Sequence, residues 1–415
     1  MTITAGPEAL AARLDTTDPV AAAVRAVPLE HFLPARIWVQ ATDDDPYEPI
    51  DRATEPQRWM HDVYVADYAI VTQFDDGATQ WPERGWRPSC SASQPSVVVG
   101  MLDALNVERG QQVLEIGTGT GYNAALLAEL VGPYGHVLSV DVDEQLVSAA
   151  CWNLAAAGYQ DRVEVGLADG ATALAAAGSV DRVIATAAVQ LGRLPYTWIE
   201  QTRPGGLILT PVRAELASGP LVCLQVGSDR TARGRAVGMR VGFMELRAQR
   251  TPGASWSALR WDDPTIEPAL TDVDPFTALL YEASRWAIAI SVPSCRYDLE
   301  KRTTERGHGV AWLLDPITGS WASVIPTTPR SENYPGYDEN RSHARSICIA
   351  STPSFSFSGG YISRMTVSSS SLDSPRSPPI ATASSWSSSA SKLSYSVTRF
   401  TRVTTVSSPE TKVSS

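Results

Sequence analysis

The stretch from residue 95 to about 212 alternates short β-branched runs with Ala- and Leu-rich runs, and that alternation leaves few ways to fold. QQVLEIG reads as a strand, YNAALLAELV as a helix, HVLSVD as a strand and DEQLVSAACWNLAAAG as a helix. RVEVGLAD and DRVIATA read as further strands, and a PGG turn leads into LILTPV. Strands separated by helices need crossover connections, so they lie parallel, with helices covering both faces of the sheet. The expected fold class is therefore α/β, a Rossmann-like, doubly wound sheet. LVCLQVG and AVGMRVGFMELR are available to add an antiparallel edge.

One turn in this pattern points to chemistry. The segment Leu114-Glu115-Ile116-Gly117-Thr118-Gly119-Thr120-Gly121-Tyr122 joins a strand to a helix. Glycines let the backbone turn sharply and approach a ligand closely. The helix that follows offers unpaired N–H groups and the positive end of its dipole. Dinucleotides use such a loop in the form G-x-G-x-x-A, which Gly119, Gly121 and Ala124 satisfy. Asp141, about 20 residues on, suits ribose hydroxyls for a dinucleotide or any other nucleoside cofactor. The glycines alone leave the cofactor open.

Two acids narrow it. Glu115 stands just before the first glycine, where it would repel a pyrophosphate but can hold an ammonium group, directly or through water. Asp169, followed by Gly170 after the third strand, can accept a hydrogen bond from an adenine amino group. E-x-G-x-G-x-G with acids after the next two strands resembles the class I S-adenosylmethionine methyltransferases. The resemblance implies S-adenosyl-L-methionine as cofactor, held by Glu115, Gly117, Thr118, Gly119, Gly121, Asp141, Asp169 and Gly170. Taken singly, Asp141 also suits helix capping through the turn around Asp143, and Asp169 suits a turn.

Three more segments resemble the protein-L-isoaspartate O-methyltransferase family. They are RAVPLEHFLP (25–34), SASQPSVVVGMLDAL (91–105), and DRVIATAAV (181–189) with TRPGGLILTPV (202–212). The similarity covers roughly residues 18–245. It implies a protein or peptide substrate bearing an isoaspartyl or aspartyl carboxylate. It also implies that Ser93, the serine of the S-x-P segment, sits beside that carboxylate, and that backbone near Thr186–Val189 helps hold the peptide. The alternative for Ser93 is a helix start ahead of Pro95. The reaction needs no general base, because a carboxylate with a free pKa of about 4 is already ionised near neutral pH. The five histidines are read as surface or packing residues and no metal site is expected.

The chain departs from compact family members in two places. Residues 38–90 are long for a connection and carry Trp38, Trp59, Trp81 and Trp86, so they read as an irregular lid or insertion. A C-terminal extension follows VGFMELR, which resembles the family's last strand. This layout is similar to relatives associated with ATP-grasp peptide maturases, which implies a ribosomally made precursor peptide as an alternative substrate. Four parts are expected: an N-terminal helical and lid region (1–94), the cofactor-binding domain (95–249), an accessory α+β segment (250–330) and a serine-rich, disordered tail (331–415). In the accessory segment WAIAISVPSCRYDL, VAWLLDP and SWASV read as strands. The tail also reads as translation in a shifted frame.

The net charge of −11 and the lack of any Lys/Arg run count against nucleic acid as a partner, and so against an RNA methyltransferase. A non-enzymatic S-adenosylmethionine-binding regulator would keep the glycine loop and lose Ser93, whereas this chain has both. No apolar run approaches the ~18 residues of a membrane span. MTITAGPEAL lacks the charged head and apolar core of a signal peptide, and the five scattered cysteines form no C-x-x-C pair. The expected address is the cytoplasm.

Overall fold

Strands that are apolar on both faces build the centre of the molecule. The computed structural model describes residues 5–42, 45–172, 174–217, 219–250, 268–271, 279, 281–300, 310–317, 320–326 and 345–350. Two short helices open it, α1 (Pro7–Arg13) and α2 (Asp18–Ala26), each with a proline in its first turn. The stripe through Val24, Val27, Phe32 and Leu33 is buried, as its helical spacing predicts.

The stretch expected to be irregular is ordered into a small antiparallel sheet. Its strands are β1 (Arg36–Val39), β2 (Glu48–Asp51), β3 (Ile70–Phe74) and β4 (Pro88–Ala92), in the order β2-β1-β3-β4, with α3 (Pro56–Tyr64) between β2 and β3. Strands of four or five residues are too short to show a period, which is why the sequence hides them. Three of the tryptophans pack. Trp59 is fully buried with Arg52 over its ring, Trp38 meets Phe74 edge-on at 5.2 Å, and Arg36 lies over Trp81. Trp86 is fully exposed.

The main sheet follows. Its elements are α4 (Pro95–Leu105), β5 (Gln112–Ile116), α5 (Tyr122–Val131), β6 (His136–Asp141), α6 (Glu144–Ala156), β7 (Val163–Leu167), β8 (Val180–Ala185), β9 (Val189–Gln190), α7 (Tyr196–Gln201), β10 (Thr202–Arg213), β11 (Pro220–Val226) and β12 (Ala232–Arg240). The order is β12-β11-β10-β8-β5-β6-β7, parallel from β10 through β7 and antiparallel across β10–β11–β12. Alternate residues feed two cores. Val113, Val137, Ile184 and Leu209 pack with α4 and α5, while Leu114, Val140, Val183 and Ile208 pack with Trp198 of α7.

The accessory sheet is formed by β13 (Pro268–Thr271), β14 (Arg296–Glu300), β15 (Val310–Asp315), β16 (Ser320–Pro326) and β17 (Arg345–Ala350), in the order β13-β17-β16-β15-β14, all antiparallel. WAIAIS lies in a helix, α8 (Glu282–Ser291), rather than a strand. Its Ala–Ile alternation imitates a strand period, but alanine is the strongest helix former. This unit packs on the turn after β10, where Ala214 and Leu216 are buried with Leu279, Ala289 and Cys295. Apart from β17, the expected tail lies outside the described residues.

Candidate active site

β5 runs on through a helix to β6 on one side of the sheet, while β8 leads to β10 on the other. That reversal opens a crevice beyond the carboxyl ends of β5 and β8. A cleft with about 1110 Å³ of empty space, counting what is open to solvent, lies there. Ser93, Gly117, Thr118, Gly119, Asp141, Asp169 and Gly170 all line it. Of the residues expected at the site, only Glu115 and Gly121 do not.

Gly119 has φ +54°, and a Cβ there would project towards the Cys90 sulfur, 3.5 Å away on the facing wall. Glycine leaves that gap open and accepts the left-handed backbone. Its N–H donates to Asp141 Oδ2 at 3.0 Å, and Asp143 N–H donates to Asp141 Oδ1 at 3.1 Å. Each carboxylate oxygen thus keeps acceptor capacity for a second donor such as a ribose hydroxyl. Burial raises the Asp141 pKa, and the two N–H bonds oppose it. Asp143, not Asp141, caps α6, accepting from Gln145 and Leu146 N–H at 3.0 and 3.3 Å.

Asp169 Oδ1 accepts from Ala171 N–H at 2.9 Å, and among the described residues its other oxygen has no donor. Gly170 is pinned by Trp198, whose indole N–H donates to its carbonyl at 2.6 Å. Glu115 is fully buried beneath the loop. Asn123 Nδ2 donates to it at 2.6 Å and the hydroxyl of Ser139, its neighbour in the β5–β6 register, at 2.5 Å. While Glu115 is ionised the Ser139 proton is committed to its carboxylate, so Thr118 donates to Ser139 across their 2.7 Å contact. Burial pushes the Glu115 carboxyl up to about 7 against these two bonds. Glu115 therefore meets the cleft through Asn123, which lines it, and not by direct exposure.

Ser93 lies on the opposite wall, between β4 and α4. Gln94 is the N-cap residue of α4, and Asp67 accepts from Ser96 N–H at 3.1 Å and Gln94 Nε2 at 3.0 Å. The helix start is thus served by Asp67. Among the described residues the Ser93 hydroxyl has no protein partner. Thr186, after β8, ties the crevice floor by donating to the Gly117 carbonyl at 2.6 Å.

The sequence reading missed the third wall. β12 ends at Arg240, so VGFMELR is not the last strand. The chain returns past Ala188 instead: Ala188 N–H donates to Met244 O at 2.8 Å, and Leu246 N–H to Ala188 O at 2.9 Å. Phe243, Glu245, Arg247 and Arg250 line the cleft beyond this bridge. Arg247 joins Asp143 at 3.0 Å to Asp76 at 3.2 Å, and Arg250 also holds Asp76 at 2.5 Å. Glu245 meets Arg213 at 3.2 Å and Arg87 at 3.6 Å. The β3–β4 turn is thereby stitched to the start of α6 and to the returning segment. These charges lie far apart in sequence; the Asp75-Asp76-Gly77 turn was their one local sign. Cys90 also lines the cleft, but burial pushes its thiol up to about 12, which keeps it protonated. His31, His61 and His136 stand away from the cleft, and His308 and His343 lie outside the described residues.

Comparison with known proteins bears on the family. The family model described as protein-L-isoaspartate(D-aspartate) O-methyltransferase matches residues 88–225. A protein-L-isoaspartate O-methyltransferase of Methanothermobacter thermautotrophicus is 36% identical over 154 residues, which are 37% of this chain and 69% of that protein. One of Ignicoccus hospitalis is 41% identical over 123 residues, 30% of this chain and 57% of that protein. The chain thus spans little more than half the length of several such relatives. A solved protein-L-isoaspartate O-methyltransferase structure aligns over 81% of this chain and 84% of its own, with 19% identity and a TM-score of 0.43.

Proposed function

The chain belongs to the protein-L-isoaspartate O-methyltransferase family, and from that premise we propose that it methylates a free carboxylate of an isoaspartyl or aspartyl residue in a protein or peptide. The observation that carries this reading is the Ser93 hydroxyl, without a partner among the described residues, in the same cleft as Asp141 and the Asp169 oxygen that no described donor reaches. S-adenosyl-L-methionine, when bound, supplies an electrophilic methyl group on a sulfonium. The cleft fits it: Asp141 has acceptor capacity for ribose hydroxyls, Asp169 for an adenine amino group, and Gly119 leaves the gap a side chain would fill.

Ser93 donates to one oxygen of the substrate carboxylate and aims the other along the line of attack. Catalysis then rests on positioning and on a site cleared of water. Val98, Met101 and Phe243 provide apolar wall for that purpose. In the ester product the neighbouring backbone nitrogen attacks the ester carbonyl, methanol leaves and a succinimide ring closes. The unpaired Cys90, Cys151, Cys223 and Cys295 suit a reducing, cytoplasmic setting. Among the described residues no helix is long and apolar enough to cross a membrane.

A dedicated peptide substrate, such as a ribosomally made precursor, is favoured over general repair by one feature. Trp86, on the turn between β3 and β4, is fully exposed, an aromatic surface on which a peptide can dock.

Ser93→Ala is expected to lower turnover about 10- to 100-fold while leaving cofactor affinity by calorimetry within twofold. Asp141→Ala is expected to weaken cofactor binding by a similar factor. Equal loss of both properties in Ser93→Ala, or of neither, contradicts the role given to the serine.

A further inference from the structure

A second cavity lies across the Ala188–Glu245 bridge from the candidate active site, between the end of β10 and the accessory unit. Phe243 lines both cavities, and the adjacent Ala187 and Ala188 line one each. The two are neighbours, so one extended polypeptide can reach both. Three charged side chains face the second cavity: Arg213, Glu215 and Arg285. Two of them are satisfied within the protein. Arg213 pairs with Glu245 at 3.2 Å, and Glu215 with Arg296 at 3.4 Å.

Arg285 of α8 is different. It donates from Nη1 to the Tyr297 hydroxyl at 3.1 Å, its Nε is buried without an acceptor, and among the described residues no carboxylate lies within ion-pairing distance. A guanidinium keeps its charge at any physiological pH, and its planar fork matches a carboxylate. A cavity-facing cation without an ionic partner among the described residues is notable in a chain with a net charge of −11.

We propose that this cavity is a specificity subsite, in which Arg285 binds the side-chain carboxylate of an aspartate or glutamate flanking the residue to be methylated. The proposal rests on the methyltransferase reading. It adds that the accessory unit selects substrates with an acidic neighbour. Tyr297 holds the guanidinium from one side, and Glu215, which lines the same cavity, disfavours ligands of higher negative charge.

The test uses the full chain and fluorescent peptides with blocked termini. Each peptide has one isoaspartyl residue and either Glu or Gln at one position between four before and four after it. Affinity is read by anisotropy with S-adenosylhomocysteine present, and methyl transfer is read in parallel. At one position Glu is expected to bind at least fivefold more tightly than Gln. Arg285→Gln should bring the two within twofold, and Arg285→Lys should keep part of the preference. Equal binding of Glu and Gln peptides to the unaltered protein at every position overturns the subsite, as does a Glu preference that survives Arg285→Gln. Methyl transfer without a Glu preference removes the subsite and leaves the methyltransferase reading intact. Arg285-dependent Glu binding without methyl transfer does the reverse.

Discussion

Burial holds the Glu115 carboxyl at about 7, against the ordinary value of 4.5. Between those pH values the folded protein keeps a proton that the unfolded chain has released. Stability therefore falls as pH rises through this window, and the loss levels off above about 7 at roughly 3 kcal/mol. Glu115→Gln removes the titration and can keep the network, since the Ser139 and Thr118 hydroxyls can reverse their donor order. Melting curves from pH 4.5 to 8 are expected to diverge, with the wild type losing stability relative to the variant as pH rises. Parallel curves contradict a protonated Glu115. The position of this residue was legible in the glycine motif; its burial was not, because that depends on Asn123 and Ser139 closing over it from other elements. Ser93 was legible only through resemblance. Arg250 and Asp76 were not legible as partners, being 174 residues apart and brought together by the fold.

Helix α6 shows how one residue can serve two elements. Asp143 caps the helix and also accepts from Arg247 and Gln73, tying it to the returning segment and to β3. Removing cap and ion pair together in Asp143→Ala is expected to reduce stability by about 2 kcal/mol, while Asp143→Asn, which keeps a capping oxygen, should lose about half as much. Denaturant unfolding compares the two, and equal losses would show that the cap contributes nothing. The elements of the main sheet were legible because buried strands and long helices announce their periods. The strands β1–β4 were hidden by their shortness, and α8 by an alternation that imitates a strand. The course of VGFMELR is fixed by two backbone bonds to Ala188, which no local pattern encodes.

At the scale of the molecule, the accessory unit is held to the methyltransferase domain by a small apolar cluster that includes the buried Leu216, assisted by the Arg240–Glu282 pair at 3.1 Å. Leu216→Ala is expected to weaken that docking by about 2–3 kcal/mol. Hydrogen exchange should quicken in α8 and β14–β16, with cofactor affinity within twofold of wild type. A tenfold loss of cofactor affinity would mean that the accessory unit helps shape the cofactor cleft itself. The place of the main sheet in the middle of the chain could be read from its strand–helix alternation. How the accessory unit docks could not, since it depends on contacts between distant segments such as Arg296 and Glu215. Carboxyl methylation at the Ser93 cleft is put to the proof by methyl transfer from labelled S-adenosyl-L-methionine to matched isoaspartyl and aspartyl peptides, with wild type and Ser93→Ala side by side. The expected result is label on a peptide carboxylate that base releases as methanol, and about 10- to 100-fold less of it with Ser93→Ala. Cofactor binding with no base-labile label on either peptide or on the acidic-neighbour series, or labelling indifferent to Ser93, would contradict it.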